Sequence, residues 1–238
     1  MTMSAQYPRN SVLTRLAALA PLTASDERHI NNAVAAGTVL PPRRDLIREG
    51  ERITIARLLV DGWAFRTHLV QNGYRQIIGL VLPGELIGTC AHLNAVGVVT
   101  TTTLTEVVTC LVPMPDPTDE HSGLSQVYAM SVALEEAYLC RQITRLGRMS
   151  ASERLADWLL EVHDRLLLAG NASHDEFELP LTQEMIADVL GLTSVHVNRT
   201  IQLLRKSGLV TLSARRVIIL DRKEMERVVC YSPVKVVF

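Results

Sequence analysis

From Thr193 to Leu220 the chain carries no Asp or Glu, yet it holds Arg199, Arg205, Lys206, Arg215 and Arg216. The whole chain has a formal net charge of −1, so these cations are a local feature and not the mark of a generally basic protein. A surface that neutralises phosphates needs this composition. Each contact releases counterions, and a carboxylate there would repel the backbone it approaches. The chemistry on offer is recognition of a polyanion. Catalysis has no comparable candidate, because no GxSxG, P-loop, HExxH or GxGxxG constellation occurs.

The elements that must position these residues are legible around them. Thr182 can cap a helix with Glu184 in its first turn, where a negative charge suits the helix dipole. That helix runs through Ile186 and Leu190 to Gly191, which fits the left-handed residue of a tight turn. Thr193 caps a second helix with an apolar stripe of Val197, Ile201 and Leu204. Its other face shows Ser194, Val195, Asn198, Arg199 and Gln202. Two helices, a short Gly turn and a polar outer face make a helix-turn-helix. After Gly208, LVTLSARRVIIL reads as a hairpin with Ser213 to Arg216 at its tip, a wing beside the second helix.

The rest of the 238 residues must carry this head, and 47 % hydrophobic residues suffice for a core. Residues 11–36 read as helical, with Ser25 as a cap and Gly37 as a stop. From Val39 to Pro113 the texture is β, broken at Asp61-Gly62, Asn72-Gly73 and Pro83-Gly84. Many short strands at this spacing predict an antiparallel barrel or sandwich. PMPDPTDEHSG is a loop. A long helix follows, in which Ala129, Val132, Glu136, Leu139, Ile143 and Leu146 alternate by three and four, as in a coiled-coil seam. Such a stripe fits a second copy of the chain, although packing within its own domain would also use it. Ser150 to Glu153 is a capping box opening a further helix to Leu168, closed by Gly170.

The run LPLTQEMIADVLGLTSVHVNRTIQLLRKSGLV resembles the winged helix-turn-helix of the Crp/Fnr superfamily of bacterial transcription regulators. The likeness extends over nearly the whole chain. PGELIG, Pro83 to Gly88, is similar to that family's cyclic-nucleotide-binding-like jelly roll, and the long helix matches its dimerisation helix. The resemblance therefore implies an α+β chain. A β jelly roll with N-terminal helices would fill residues 1–116, a dimerisation helix 117–148, and a winged helix-turn-helix 149–238. It implies a homodimer on double-stranded DNA, with RNA polymerase as a further partner if the protein activates.

Family members often read bases with an Arg-Glu-x-x-x-Arg pattern at the start of the second helix. The matching positions are Ser194, Val195 and Arg199, so only the last arginine is kept. With Asn198 they form the expected base-reading set. Thr182, Thr193, His196, Gln202, Arg205, Arg215 and Arg216 are expected at phosphates. Val132, Leu139, Ile143 and Leu146 are expected at the dimer seam.

The effector region departs from the cyclic-AMP-binding pattern. The Arg-Ser positions fall near Val99 and Thr100, and residues 90–103 contain no arginine for a cyclic phosphate. An effector, if one exists, is expected around Gly84, Glu85, Cys90, Val99 and Thr100. No cysteine precedes Cys90, which argues against a cluster of the N-terminal iron–sulfur type. His68 and His92 are the available haem ligands, though lone histidines in a β domain are mostly structural. No cofactor is therefore expected. Cys90 and Cys110 could report oxidation if exposed, and buried inert thiols are the plainer expectation. The N-terminal residues lack the apolar core of a signal peptide, and no run of 18 apolar residues occurs. A cytoplasmic protein without membrane contact is expected. A ligand- or redox-sensing module acting through a protein partner stays open as the second functional class.

Overall fold

The computed structural model describes residues 11–70, 75–89, 95–115 and 121–234. Helices α1 (Ser11–Ala17) and α2 (Ala24–Ala35) come first, separated by a break that contains Pro21. The cap of α2 is Thr23, not Ser25 as the sequence suggested. Thr23 stands three residues ahead of Asp26, so its hydroxyl accepts the Asp26 N–H while the Asp26 carboxylate accepts the Thr23 N–H. The same carboxylate accepts from the Ser122 hydroxyl and the Gly123 N–H, which ties α2 to the chain ahead of the long helix. Burial opposes its ionisation, but these donors outweigh burial and hold it below the usual carboxylate range.

Eight strands follow among the described residues: β1 (Thr38–Leu40), β2 (Asp45–Ile47), β3 (Arg57–Asp61), β4 (Ala64–Leu69), β5 (Arg75–Val81), β6 (Leu86–Ile87), β7 (Thr100–Thr103) and β8 (Val107–Leu111). They form two four-stranded antiparallel sheets, ordered β1-β8-β3-β6 and β2-β7-β4-β5. This is the expected β jelly roll. Leu59, Ala64, Val81, Ile87 and Val107 fill the space between the sheets. Phe65, Ile77 and Leu80 belong instead to the core that continues into the C-terminal half. β5 is thus packed on both faces, which explains why its sequence lacks clean alternation. The Asn72-Gly73 turn signal lies outside the described residues.

Helix α3 (Leu124–Arg148) buries Leu124, Val127, Ser131, Leu134, Gln142 and Arg145. Helix α4 (Ala151–Leu168) opens with the expected capping box, Ser150 with Glu153. Then come β9 (Glu176–Glu178), α5 (Gln183–Leu190), α6 (Ser194–Lys206), β10 (Val210–Ser213), β11 (Arg216–Ile219) and α7 (Arg222–Val229). Among the described residues, no helix is long and apolar enough to cross a membrane.

One buried ionic chain links these parts. The Arg165 guanidinium on α4 donates to Glu85 at 2.7 and 3.0 Å, to Glu161 at 3.2 Å and to the Leu80 carbonyl at 2.9 Å. It also stacks over the Tyr138 ring of α3, 4.6 Å from the centroid. Arg145 on α3 donates to Glu161 at 2.6 Å and to Asp157 at 2.7 and 2.9 Å. Arg141 reaches the same Asp157, and Arg15 of α1 pairs with Glu85 at 3.4 Å. Arg145 and Asp157 are essentially without solvent, Arg15, Glu85, Glu161 and Arg165 are buried, and Arg141 and Tyr138 are half-buried. Burial opposes the charge on Glu85, but Arg165 and Arg15 outweigh it and hold the carboxyl below its ordinary value of 4.5.

This depression sets a pH dependence. Glu85 contributes its full stabilisation above its unfolded value of 4.5 and loses it as pH falls through the lower folded value. Urea unfolding followed from pH 6 down to pH 3 should show that loss. Glu85→Gln should cost about 3–5 kcal/mol at pH 7, because it strands two guanidiniums. Its acid limb should be shallower than that of the parent protein. Parallel acid limbs would show that Glu85 does not carry the effect.

Candidate nucleic-acid interface

Helix α5 begins as the sequence predicted, with the Thr182 hydroxyl accepting the Met185 N–H at 3.2 Å. Gly191 takes the left-handed conformation, with φ 62° and ψ 41°. A Cβ at that position would lie 3.3 Å from Leu146 Cδ2 of α3, so the turn is also held close to the long helix. Thr193 then caps α6 by accepting the His196 N–H at 3.2 Å. Each capping oxygen uses a lone pair on an amide, which leaves the hydroxyl proton free to donate outward. Val197, Ile201 and Leu204 are buried as expected, and Thr200 joins them by donating to the His196 carbonyl.

The outer face of α6 holds Ser194, Val195, His196, Asn198, Arg199 and Gln202, all exposed. Val195 is an apolar side chain left 59 % exposed, consistent with an apolar contact waiting for a partner. Sequence reasoning did not single out Gln183. Its side-chain oxygen accepts from the Asn198 amide at 3.3 Å and fixes which way Asn198 points. The first turn of α6 holds no acid, so its positive dipole end faces out uncompensated.

The wing is the β10–β11 hairpin, and its turn residues are Ala214 and Arg215, with φ of 48° and 65°. Two consecutive non-glycine residues at positive φ form a strained tip, since the type I′ turn favours Asn-Gly. Arg215 is exposed there, its carbonyl accepts from the Leu179 N–H at 2.7 Å, and its side chain has no ion-pair or hydrogen-bond partner among the described residues. The neighbouring arginines are already engaged. Arg205 donates to the Leu212 carbonyl at 3.0 Å and so ties α6 to the wing. Arg216 pairs with Glu176 of β9 at 2.7 Å. The run without acids is thus free of acids in sequence only, because β9 pairs with β11 and brings Glu176 and Glu178 alongside.

The α5 C-terminus is anchored by residues from three other segments. Its last turn has no basic residue, so its end carbonyls need outside donors. Gln76 of β5 donates to the Asp188 carbonyl at 2.6 Å, Gln142 of α3 to the Val189 carbonyl at 2.7 Å, and Arg154 of α4 to the Leu190 carbonyl at 3.0 Å. Arg75 of β5 clamps the Asp188 carboxylate through two bonds. The unsatisfied helix end was the available sequence signal, but it does not name the donors.

Among the described residues, those expected at an effector pocket do not gather. Glu85 is committed to Arg165 and Arg15, and Gly84 lies against the Arg15 side chain. The Thr100 hydroxyl accepts the Glu49 N–H at 3.2 Å, and Val99 is half-buried beside it. Cys90 and His92 lie outside the described residues. Ile47 packs against the backbone of Gly88 and Gly97, filling space inside the roll. Cys110 is buried, and burial pushes its thiol up, so it cannot serve as an exposed sensor. His68 is paired with Glu49.

Residues 153–228 match the model of the Crp-like helix-turn-helix domain. Transcriptional activatory protein AadR of Rhodopseudomonas palustris is 30 % identical over 193 residues, covering 78 % of this chain and 77 % of the relative. Transcriptional activator protein FnrL of Cereibacter sphaeroides is 29 % identical over 181 residues, covering 73 % and 72 %. The solved structure of FixK2 from Bradyrhizobium japonicum has a TM-score of 0.67 and 24 % identity, covering 80 % of this chain and 96 % of that one. That last likeness is one of fold.

The strained tip separates stability from recognition. Replacing Ala214 and Arg215 together by Asn and Gly should raise the unfolding free energy by about 1 kcal/mol, because the turn then suits its residues. Fluorescence anisotropy with duplex DNA should show weaker binding to all sequences alike and a salt slope shallower by about one. Unchanged affinity would remove Arg215 from the interface.

Proposed function

The chain belongs to the Crp/Fnr family of transcription regulators, and from that premise we propose that it acts as a homodimer on a two-fold symmetric operator without needing a cyclic nucleotide. The observation that carries this reading is the exposed outer face of α6, set by two caps and a tight turn. Ser194, Val195, Asn198 and Arg199 read base edges in the major groove. Arg199 donates to guanine O6 and N7, Asn198 pairs with adenine, and Val195 meets a thymine methyl. Thr182, Thr193, His196 and Gln202 hold phosphates at the rim, with Arg215 doing so from the wing. Arg205 and Arg216 set the wing's position and reach the backbone only by sharing their present partners.

Dimerisation rests on α3. Val132, Leu139 and Ile143 are 46 %, 39 % and 72 % exposed, an apolar stripe at coiled-coil spacing. Glu136 lies on it, exposed and without an ion-pair partner among the described residues. A second copy covers that stripe best, since two-fold symmetry then presents two α6 helices about 34 Å apart and demands an interrupted palindrome. The missing arginine at Val99 and Thr100 supports independence from cyclic nucleotides. A DNA target fits a cytoplasmic protein. The relatives named above are called activators, and by that analogy RNA polymerase is the further partner.

Selection from a random duplex library, with reduced protein and no added ligand, should enrich an interrupted palindrome. Arg199→Ala should lose discrimination at one base pair in each half-site, at a cost of about 1–3 kcal/mol against the best sequence. If that variant ranks all operator variants as the parent does, α6 is not the reading helix. Ile143→Glu should shift sedimentation toward the monomer and abolish operator binding, with circular dichroism unchanged. A dimer that survives Ile143→Glu would place the interface elsewhere.

A further inference from the structure

A cavity of about 50 Å3 lies between α1, the Gly84–Leu86 segment, β5, α3 and α4. At 10–15 Å3 per enclosed water it has room for about four water-sized centres, far too few for a nucleotide. Arg15, Arg66, Arg145 and Arg165 line it, together with Glu85, Glu135 and Glu161. Four guanidiniums therefore face three carboxylates. The adjoining pair Arg141 and Asp157 adds one charge of each sign, so the surplus of one positive charge persists.

Three of the four arginines are satisfied. Arg165 and Arg145 make the bonds described above, while Arg66 donates to the Leu86 carbonyl at 3.1 Å and pairs with Glu135 at 3.2 Å. Arg15 differs. It is 2 % exposed and, among the described residues, reaches only Glu85, at 3.4 Å, and leaves its buried Nε and Nη1 without a hydrogen-bond partner. Buried charged donors left unmade are among the costlier defects a fold can carry. Nor is the side chain displaced by crowding. Gly84, at φ 83°, makes room for it, since a Cβ there would stand 2.5 Å from Arg15 Cδ.

We propose that this cavity is a binding site for a small monovalent oxyanion, either a short carboxylate or an inorganic ion of similar size. Such an ion supplies the acceptor atoms that Arg15 lacks and the single negative charge that the cluster lacks. Its volume limits it to three or four heavy atoms. The site is separate from the interior of the jelly roll, because two helices from beyond the sandwich, α3 and α4, form much of its wall. Occupancy would tighten the junction of α1, the sandwich, α3 and α4.

The test uses the full chain without DNA, so its failure leaves the operator reading intact. Sodium formate, acetate, nitrate and bicarbonate are titrated against chloride at constant ionic strength, with thermal midpoint and calorimetric heat as readouts. At least one probe should raise the midpoint by several degrees in a saturable way, and the responding arm separates carboxylate from inorganic ion. Arg15→Met should keep the fold and lose the saturable shift. Should that variant fail to fold, Gly79→Leu decides. Gly79 lies opposite Arg66 on the strand pair and lines the cavity, and a Cβ there meets no atom within 4 Å. Its side chain fills the space, so the shift should vanish. No probe surpassing chloride, or a shift that survives in either folded variant, overturns the proposal.

Discussion

Arg165 gives up its water to sit between the sandwich and the helices, and much of the architecture supplies what replaces that water. Two carboxylates, a strand carbonyl and an aromatic face come from β5, the Gly84–Leu86 segment, α3 and α4 itself. Such an arrangement contributes little net stability, since desolvation consumes most of the Coulombic gain. Its effect is to make alternatives costly. Sliding α4 along the sandwich would strand a buried charge, whereas sliding an apolar helix would merely exchange one contact for another. The posture of α4 on the sheet is therefore specified, and Burial of Asp157 and Glu161 under Arg145 specifies α3 against α4 in the same way.

That specification passes to the recognition face by short steps. Helix α4 shares the C-terminal core with α5, α6 and the wing. The carbonyls ending α5 are taken up by Gln76, Gln142 and Arg154, one donor each from the sandwich, the long helix and α4. A helix-turn-helix alone would leave those carbonyls to water. Here they are the fastening points, so the outward direction of α6 is referred to all three surroundings at once. The Arg75 clamp on Asp188 is partly exposed, with side chains 37 % and 29 % accessible, which makes it the weaker and more separable fastening.

What was legible in the sequence was local. Thr182, Gly191, Thr193 and the Val197–Ile201–Leu204 stripe announce the two helices, because a cap and its partner lie three residues apart and a stripe repeats within two turns. The strands were legible as a class, but the irregular apolar pattern of β5 concealed that it also packs against α3 and α5. The ionic chain was not legible at all. Glu85 and Arg165 lie 80 residues apart, and nothing in periodicity pairs them. Glu85 was accordingly assigned to a ligand, when its partners are the protein's own arginines. The acid-free run misled in a related way. It is a statement about chain order, and β9 arrives from outside that order to place Glu176 on Arg216. Ser25 lost the cap of α2 to Thr23 because the reciprocal bond requires a carboxylate three residues on, and only Thr23 has Asp26 there.

Leu146 ties the end of the long helix to the turn between α5 and α6. It continues the three-four spacing of the exposed α3 stripe, yet it is half-buried, and its Cδ2 would stand 3.3 Å from a Cβ at position 191, a tight contact. Gly191 is thus held by two demands. The left-handed turn between α5 and α6 needs its backbone freedom, and the close approach of Leu146 favours its missing Cβ. A partner helix laid along Val132, Leu139 and Ile143 would end its contact at the same side chain that supports the turn. In the proposed dimer, a change in how two such helices cross would reach the turn first through Leu146.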